Sequence, residues 1–246
     1  MLTLTLALVA ATFLLAGFVK GVIGLGLPTI AMGLLALTMP AAQAAAILVV
    51  PSIVTNFWQM LDGPGMRLIL RRLWPMLAGI CLGTWAAAGM LTGAPSRLTQ
   101  GLLGAAIAVY GGLGLAAVRF SVPPGLERWL SLPMGLATGA LGAGTGVFVI
   151  PSVPYLSALG LSRDLLVQAL AVSFTVSTLA LAGNLLAGKA FTLEIAGVSL
   201  IALLPALAGM ALGQAARTRL SEQGFRRVFF AGLVALGGYI VVRAAR

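Results

Sequence analysis

The stretch Leu15–Gly33 reads LAGFVKGVIGLGLPTIAMG and sets a lysine, a proline and glycines at 17, 21, 24 and 26 inside an otherwise apolar run. Glycine costs a helix interior roughly 0.5–1 kcal/mol relative to alanine. No acid lies near Lys20 in sequence. A segment built this way predicts a helix that breaks partway along and relies on its neighbours for stability. A second stretch, Gly135–Ile150, reads GLATGALGAGTGVFVI and spaces its first four glycines identically.

The surroundings of these stretches fix the class. Of 246 residues, 60% are hydrophobic and 8% charged, and the mean hydropathy is +1.09. A soluble domain carries about a quarter charged residues. The apolar runs approach or exceed the ~20 residues that cross a bilayer as helix. Runs such as LLGAAIAVYGGLGLAAV (102–118) do not alternate as barrel strands would. The expected fold is therefore an all-α polytopic membrane protein. No polar stretch is long enough for a soluble domain. The net charge of +10 fits arginine kept on cytoplasmic loops rather than nucleic-acid binding. The absence of histidine removes imidazole chemistry, and a single cysteine, Cys81, expected as a small packing residue, removes disulfides and thiolate clusters. No cofactor, metal or enzymatic activity is expected. The N-terminal MLTLTLALVAATFLLAG lacks a basic n-region and is expected to be retained.

The apolar stretches fall at 2–37, 41–61, 68–92, 98–118, 130–160, 165–187, 192–215 and 225–243. The first would make a helix of about 54 Å, too long for one straight span of a ~30 Å core. Like the fifth, it is interrupted by glycine. The two also correspond: adding 118 carries Gly17, Gly21, Gly24 and Gly26 onto Gly135, Gly139, Gly142 and Gly144. An offset of 125 pairs QAAAILVV (43–50) with QALAVSFT (168–175), and one of 130 pairs PMLAGICLG (75–83) with PALAGMALG (205–213). The chain reads as two homologous repeats, 1–120 and 130–246, joined by a linker at 121–129. Each repeat has a glycine-broken first segment followed by three transmembrane helices.

Charge decides their relative orientation. With eight full crossings, the basic residues outside Lys20 divide 8 against 6. If the first and fifth stretches are re-entrant, one side holds Arg67, Arg71, Arg72, Arg119, Arg128, Arg163, Arg217, Arg219, Arg226 and Arg227, and the other Arg97, Lys189, Arg243 and Arg246. The second division follows the positive-inside rule. The basic loop precedes the Pro-x-Leu-Ala-Gly helix in the first repeat and follows it in the second, as an inverted duplication requires.

Glycine-interrupted segments at matching positions of two repeats point to a transporter's binding site. Broken helices aim free N–H groups and partial positive charge at the midplane, so an anion is the natural ligand. Lys20 would supply charge, its alternative being to snorkel to the interface. Gly24, Gly26, Gly142 and Gly144 would allow close backbone approach. Gln43, Asn56, Thr145 and Gln168 would donate hydrogen bonds, with plain interhelical bonding as the other reading. For Gly79, Gly83, Gly209 and Gly213, close helix packing is expected. All five acids, Asp62, Glu127, Asp164, Glu194 and Glu222, lie in or beside loops, so no mid-segment carboxylate marks a proton or sodium relay.

The paired G-x-x-x-G-x-x-G-x-G motifs, on Gly17, Gly21, Gly24, Gly26 and on Gly135, Gly139, Gly142, Gly144, resemble those of the TauE/SafE family of membrane permeases, the sulfite exporter or toluene-sulfonate uptake family. The resemblance covers nearly the whole chain. It implies a multi-pass protein of the bacterial inner membrane, a secondary transporter of sulfite, an organosulfonate or another small sulfur-containing anion. Alternating access around a midplane site is the expected mechanism; a passive anion channel, or a permease for another small organic anion, is the alternative. The expected partners are the anionic substrate and the lipid bilayer, with a homodimer as the assembly and no nucleic acid.

Overall fold

The computed structural model describes residues 2–118 and 120–246, and the side chains of all of these except 2–4, 124 and 222. Arg119, counted above on the basic side, lies outside the described residues. The described chain is a bundle of helices: α1 (Leu2–Ile23), α2 (Leu27–Leu35), α3 (Ala41–Leu61), α4 (Met66–Ala86), α5 (Met90–Gly93), α6 (Ser96–Leu115), α7 (Pro124–Thr145), α8 (Ser152–Ser157), α9 (Arg163–Ala187), α10 (Leu193–Ala216) and α11 (Glu222–Ala245). Seven are long and apolar enough to cross a membrane: α1, α3, α4 together with α5, α6, α9, α10 and α11. The protein is therefore a multi-pass membrane protein. The eighth long helix, α7, carries Glu127 and Arg128 in its first two turns. Because α7 starts at Pro124, most of the stretch expected as linker is helix.

Local chemistry sets the helix ends. α1 stops where Gly24 and Gly26 take φ of +82° and +107°, values that side chains with a Cβ rarely adopt. Pro28 then opens α2, where its missing N–H costs no bond. Exposed Trp58 and Trp129 sit near one end of the bundle and exposed Trp85 near the other, as interfacial aromatics do. Cys81, expected to pack inside, is exposed on α4, which leaves it on the outer surface of the bundle.

Glycine governs how the helices meet. A Cβ on Gly17 would lie 2.2 Å from the carbonyl oxygen of Ala206, and one on Gly21 2.2 Å from that of Met210. The same holds for Gly135 against Met76 at 2.1 Å and Gly139 against Ile80 at 2.2 Å. The partners match as well: Gly209 meets Leu14 and Gly213 meets Phe18, while Gly79 meets Leu132 and Gly83 meets Leu136. The α1–α10 contact thus recurs in α7–α4, each pair lying side by side in the same direction. In lipid, where apolar burial gives helices little reason to associate, such close approach is what dispersion and Cα–H contacts require. Packing was the expected role of the Gly79/Gly83 and Gly209/Gly213 pairs, and it extends to Gly17, Gly21, Gly135 and Gly139.

The remaining long helices pair in opposite directions. Gly104 packs on Gly237 and Ile240, and Gly111 and Gly114 on Phe230, so α6 and α11 are antiparallel. The Gln168 side chain at the start of α9 donates to the carbonyls of Met60 and Gly63, both at 2.8 Å, and accepts from the Gly65 N–H, so it meets the end of α3. Pro51 inside α3 lacks the N–H that would serve the Ile47 carbonyl. Ser199 of α10 serves it instead at 2.7 Å and accepts from the Val50 N–H at 3.1 Å. At the basic end, Arg72 of α4 grips Glu127 of α7 in a two-pronged pair of 2.6 and 2.7 Å and also bonds the Leu159 carbonyl.

Gly135→Ala is expected to destabilise the detergent-purified protein by ~1–3 kcal/mol through overpacking against Met76. Gly232→Ala, whose Cβ would meet nothing within 4 Å, is expected to be neutral. Thermal melts of the two variants make the comparison; equal melting points would remove the close-contact role.

Candidate functional site

A cavity of about 1260 Å³ opens at one end of the bundle. Its wall is built from the ends of α1, α3, α6 and α10, the starts of α9 and α11, and one face of α8. Lys20, Arg163, Arg217, Arg226 and Arg227 line it against only two carboxylates, Asp62 and Asp164. A concave surface with an excess of one charge, walled by low-dielectric material, concentrates counter-ions. Arg226 lies over the Phe230 ring at 5.8 Å, and Phe230 meets Tyr110 edge-on at 5.5 Å, so the arginine is braced from behind by aromatic wall.

Lys20 sits at the inner end of this space. The residue is 2% exposed, and its ammonium donates to Thr55 Oγ1 at 3.0 Å and to Asn56 Oδ1. The one ion pair among the described residues is Arg72–Glu127, so Lys20 is held by neutral oxygens alone. It does not snorkel to water. Thr55 returns its own proton to the Pro51 carbonyl at 2.6 Å, which fixes the hydroxyl's lone pairs toward the lysine.

The break beside Lys20 is part of the same construction. The Gly24 N–H closes the last turn of α1 on the Lys20 carbonyl at 2.7 Å, and Gln59 Nε2 donates to the Gly24 carbonyl at 3.2 Å. By Gly26 the chain has folded back onto α1: a Cβ there would stand 3.3 Å from Val19 Cγ1. Gly24, Gly26, Lys20 and Asn56 are therefore brought together as the sequence suggested.

The other expected site residues are not. Gly142 and Gly144 lie inside α7, which runs to Thr145 and turns only at Gly146, with φ of +72°. The Phe148 ring folds back on Gly142, where a Cβ would clash at 1.9 Å, so packing explains that glycine. Thr145 spends its hydroxyl on the carbonyls of Leu141 and Val147 and accepts from the Val147 N–H; it closes the end of α7. Gln168 has no donor left once it has clamped the α3–α4 turn. Gln43 is exposed in the first turn of α3, about 20 Å along the helix from Asn56. Thr138, the counterpart of Lys20, is buried and bonded to the Met134 carbonyl at 2.7 Å. The two broken segments are thus unlike: polar groups with capacity to spare gather at the first.

In the sequence, Arg163, Arg217, Arg226 and Arg227 mark only sidedness, and Gln59 is not among the expected site residues. Their shared place on the cavity wall follows from helix ends meeting in space, for which no spacing in the sequence is a signal.

No curated protein and no solved structure matches the chain. The family description "Sulfite exporter TauE/SafE" matches residues 9–240. That span takes in all or most of every long helix, both glycine motifs and the whole cavity wall. The chain belongs to the TauE/SafE sulfite exporter family.

Proposed function

We propose that the protein is a secondary transporter that exports a small sulfur-containing anion, such as sulfite or an organosulfonate, across the bacterial inner membrane by alternating access. The observation that carries the reading is the cationic cavity ending on Lys20, a buried ammonium with neutral partners only. An anion entering from the open end would meet arginines first and the lysine last. All the lining residues come from one end of the helices, which suits a transporter open to one side better than a channel. That end also carries Arg67, Arg71, Arg72, Arg128, Arg163, Arg217, Arg219, Arg226 and Arg227, so the positive-inside rule makes it cytoplasmic. A cell interior negative by ~100 mV favours anion efflux by about 2.3 kcal/mol per charge, so export needs no coupling ion.

The architecture we infer is two inverted repeats, 1–120 and 130–246, with a linker at 121–129. Supporting it are the helix directions. α1 runs with α10 and α4 with α7, while α3 opposes α9 and α6 opposes α11. With α3, α4 and α6 alternating, and α9, α10 and α11 likewise, α1 and α3 point the same way, and α7 and α9 share the opposite direction. The connections through α2 and α8 must then return the chain to the side it came from, as re-entrant segments do. The matched glycine contacts across the halves are what a two-fold relation between repeats would give.

Two measurements test this. In a Cys81→Ser background, single cysteines at positions 40 and 128 are expected to react with impermeant thiol reagents from opposite sides of the membrane; reaction from one side contradicts the topology. In proteoliposomes, Lys20→Met is expected to lower sulfite or sulfonate flux at least tenfold. Arg227→Gln, at the mouth, is expected to raise KM a few-fold with kcat kept and to flatten the ionic-strength dependence. Wild-type flux from Lys20→Met would contradict the role of the lysine.

A further inference from the structure

Buried hydroxyls on the helices of this protein have a habit. Thr55, Thr138, Thr145, Ser152, Thr175, Ser177 and Thr178 each donate to the carbonyl four residues back. Such back-bonding is the cheapest way to satisfy a hydroxyl in an apolar interior. Five buried polar atoms among the described residues have no partner at all: Thr29 Oγ1, Ser52 Oγ, Asn56 Nδ2, Tyr110 Oη and Ser173 Oγ. The first three lie on two helices that pack against each other, Thr29 on α2 and Ser52 and Asn56 on α3. Thr29, Ser52 and Asn56 are each 0% exposed.

Their placement follows from contacts already described. Asn56 holds the Lys20 ammonium through Oδ1, which leaves Nδ2 as its idle donor. Ser52 lies one turn earlier on the same face of α3. Thr29 is the third residue of α2, whose N-cap Gly26 packs against Val19, the neighbour of Lys20. α2 has nine residues, and its first internal bond runs from the Ile30 N–H to the Gly26 carbonyl at 2.9 Å. The N–H groups of Leu27 and Thr29 precede that bond and have no partner within the helix. A lysine beside a helix N-terminus sets positive charge against positive charge. Among the described residues no carboxylate relieves it.

We propose that Lys20 Nζ, Asn56 Nδ2, Ser52 Oγ, Thr29 Oγ1 and the N-terminus of α2 form an occluded site for one small, dehydrated oxyanion. The inference rests on the transporter reading and adds to it Thr29 and Ser52 as ligands and the α2 N-terminus as part of the cradle. Lys20 lines the cavity, whereas Thr29, Ser52 and Asn56 do not, so the site lies behind the cavity's inner end. Passage of the anion past Lys20 would exchange its water shell for these donors. An oxyanion has several acceptor oxygens in a compact volume and can meet four donors at once. The organic tail of a larger sulfonate would remain in the cavity.

The test is equilibrium binding of sulfite and methanesulfonate to purified protein by titration calorimetry, with wild type, Ser52→Ala, Thr29→Val and Thr29→Ser compared. Hydrogen bonds to a charged ligand predict that Ser52→Ala and Thr29→Val each raise Kd at least about tenfold. Thr29→Ser, which keeps the hydroxyl, is expected to stay within about threefold. Arg227→Gln at the mouth is expected to change Kd less than either hydroxyl loss. A wild type that binds while Ser52→Ala and Thr29→Val both bind equally well overturns the site and leaves the transporter reading standing. A wild type that binds neither anion overturns both.

Discussion

A chain that reverses direction inside a bilayer must account for every amide it frees, because an unpaired backbone group in lipid costs several kcal/mol. In the re-entrant topology we propose, the reversal at Gly24–Gly26 is the constraint on which the rest of this protein turns. Protein holds it in place beside the cavity: Gln59 takes the Gly24 carbonyl, Val19 and Phe229 press on Gly26, and the first residues of α2 are buried. That enclosure needs close helix packing, which the glycine contacts of α1 with α10 and of α7 with α4 provide. It also needs α3 held firm at its proline, a task that falls to Ser199. The same enclosure keeps Lys20 and its polar neighbours away from water and ready for a charged guest.

The two halves share a packing scheme and differ at their breaks. Where the first half has lysine, the second has a threonine bonded within its own helix; where α2 has nine residues, α8 has six. Ser152, at the start of α8, bonds the Phe148 carbonyl and has no donor to offer. In the duplicated architecture we propose, the matched glycine contacts serve the scaffold, and the idle polar groups are concentrated in the first half. A duplicated framework needs both copies of the helix contacts to hold its shape, but a single charged pocket is enough to bind one ion.

Much of this was legible in the sequence. The glycine spacing announced the break in the first segment and the close packing of α4 and α10, because both depend on the lack of a Cβ at fixed positions. Lys20 stood out since an unmatched cation in an apolar run has few structural uses. Asn56 came with it, as one of few amides at that depth. The placements that differ have separate causes. Thr145 and Gln168 were judged by residue type, and type does not say whether a donor is already committed to a neighbouring carbonyl. Gln43 lies about three and a half turns of α3 away from Asn56, at an exposed position. Gly142 and Gly144 were carried over from Gly24 and Gly26 by offset, yet α7 continues one more turn because Phe148 folds over Gly142 and Gly146 is there to end it. The arginines of the cavity wall come from three separate helix ends, those of α9, α10 and α11, a convergence that only the fold creates.

The central claim is that the buried lysine and the idle donors around the α1–α2 break face a bound anion when the protein works. Crystals grown with selenite, the heavier analogue of sulfite, would locate that anion directly by its anomalous scattering. The account predicts a selenium peak within hydrogen-bonding reach of Lys20 Nζ, Asn56 Nδ2 and Ser52 Oγ. Selenium confined to the arginines of the mouth, with Lys20 still bonded only to Thr55 and Asn56, would contradict it.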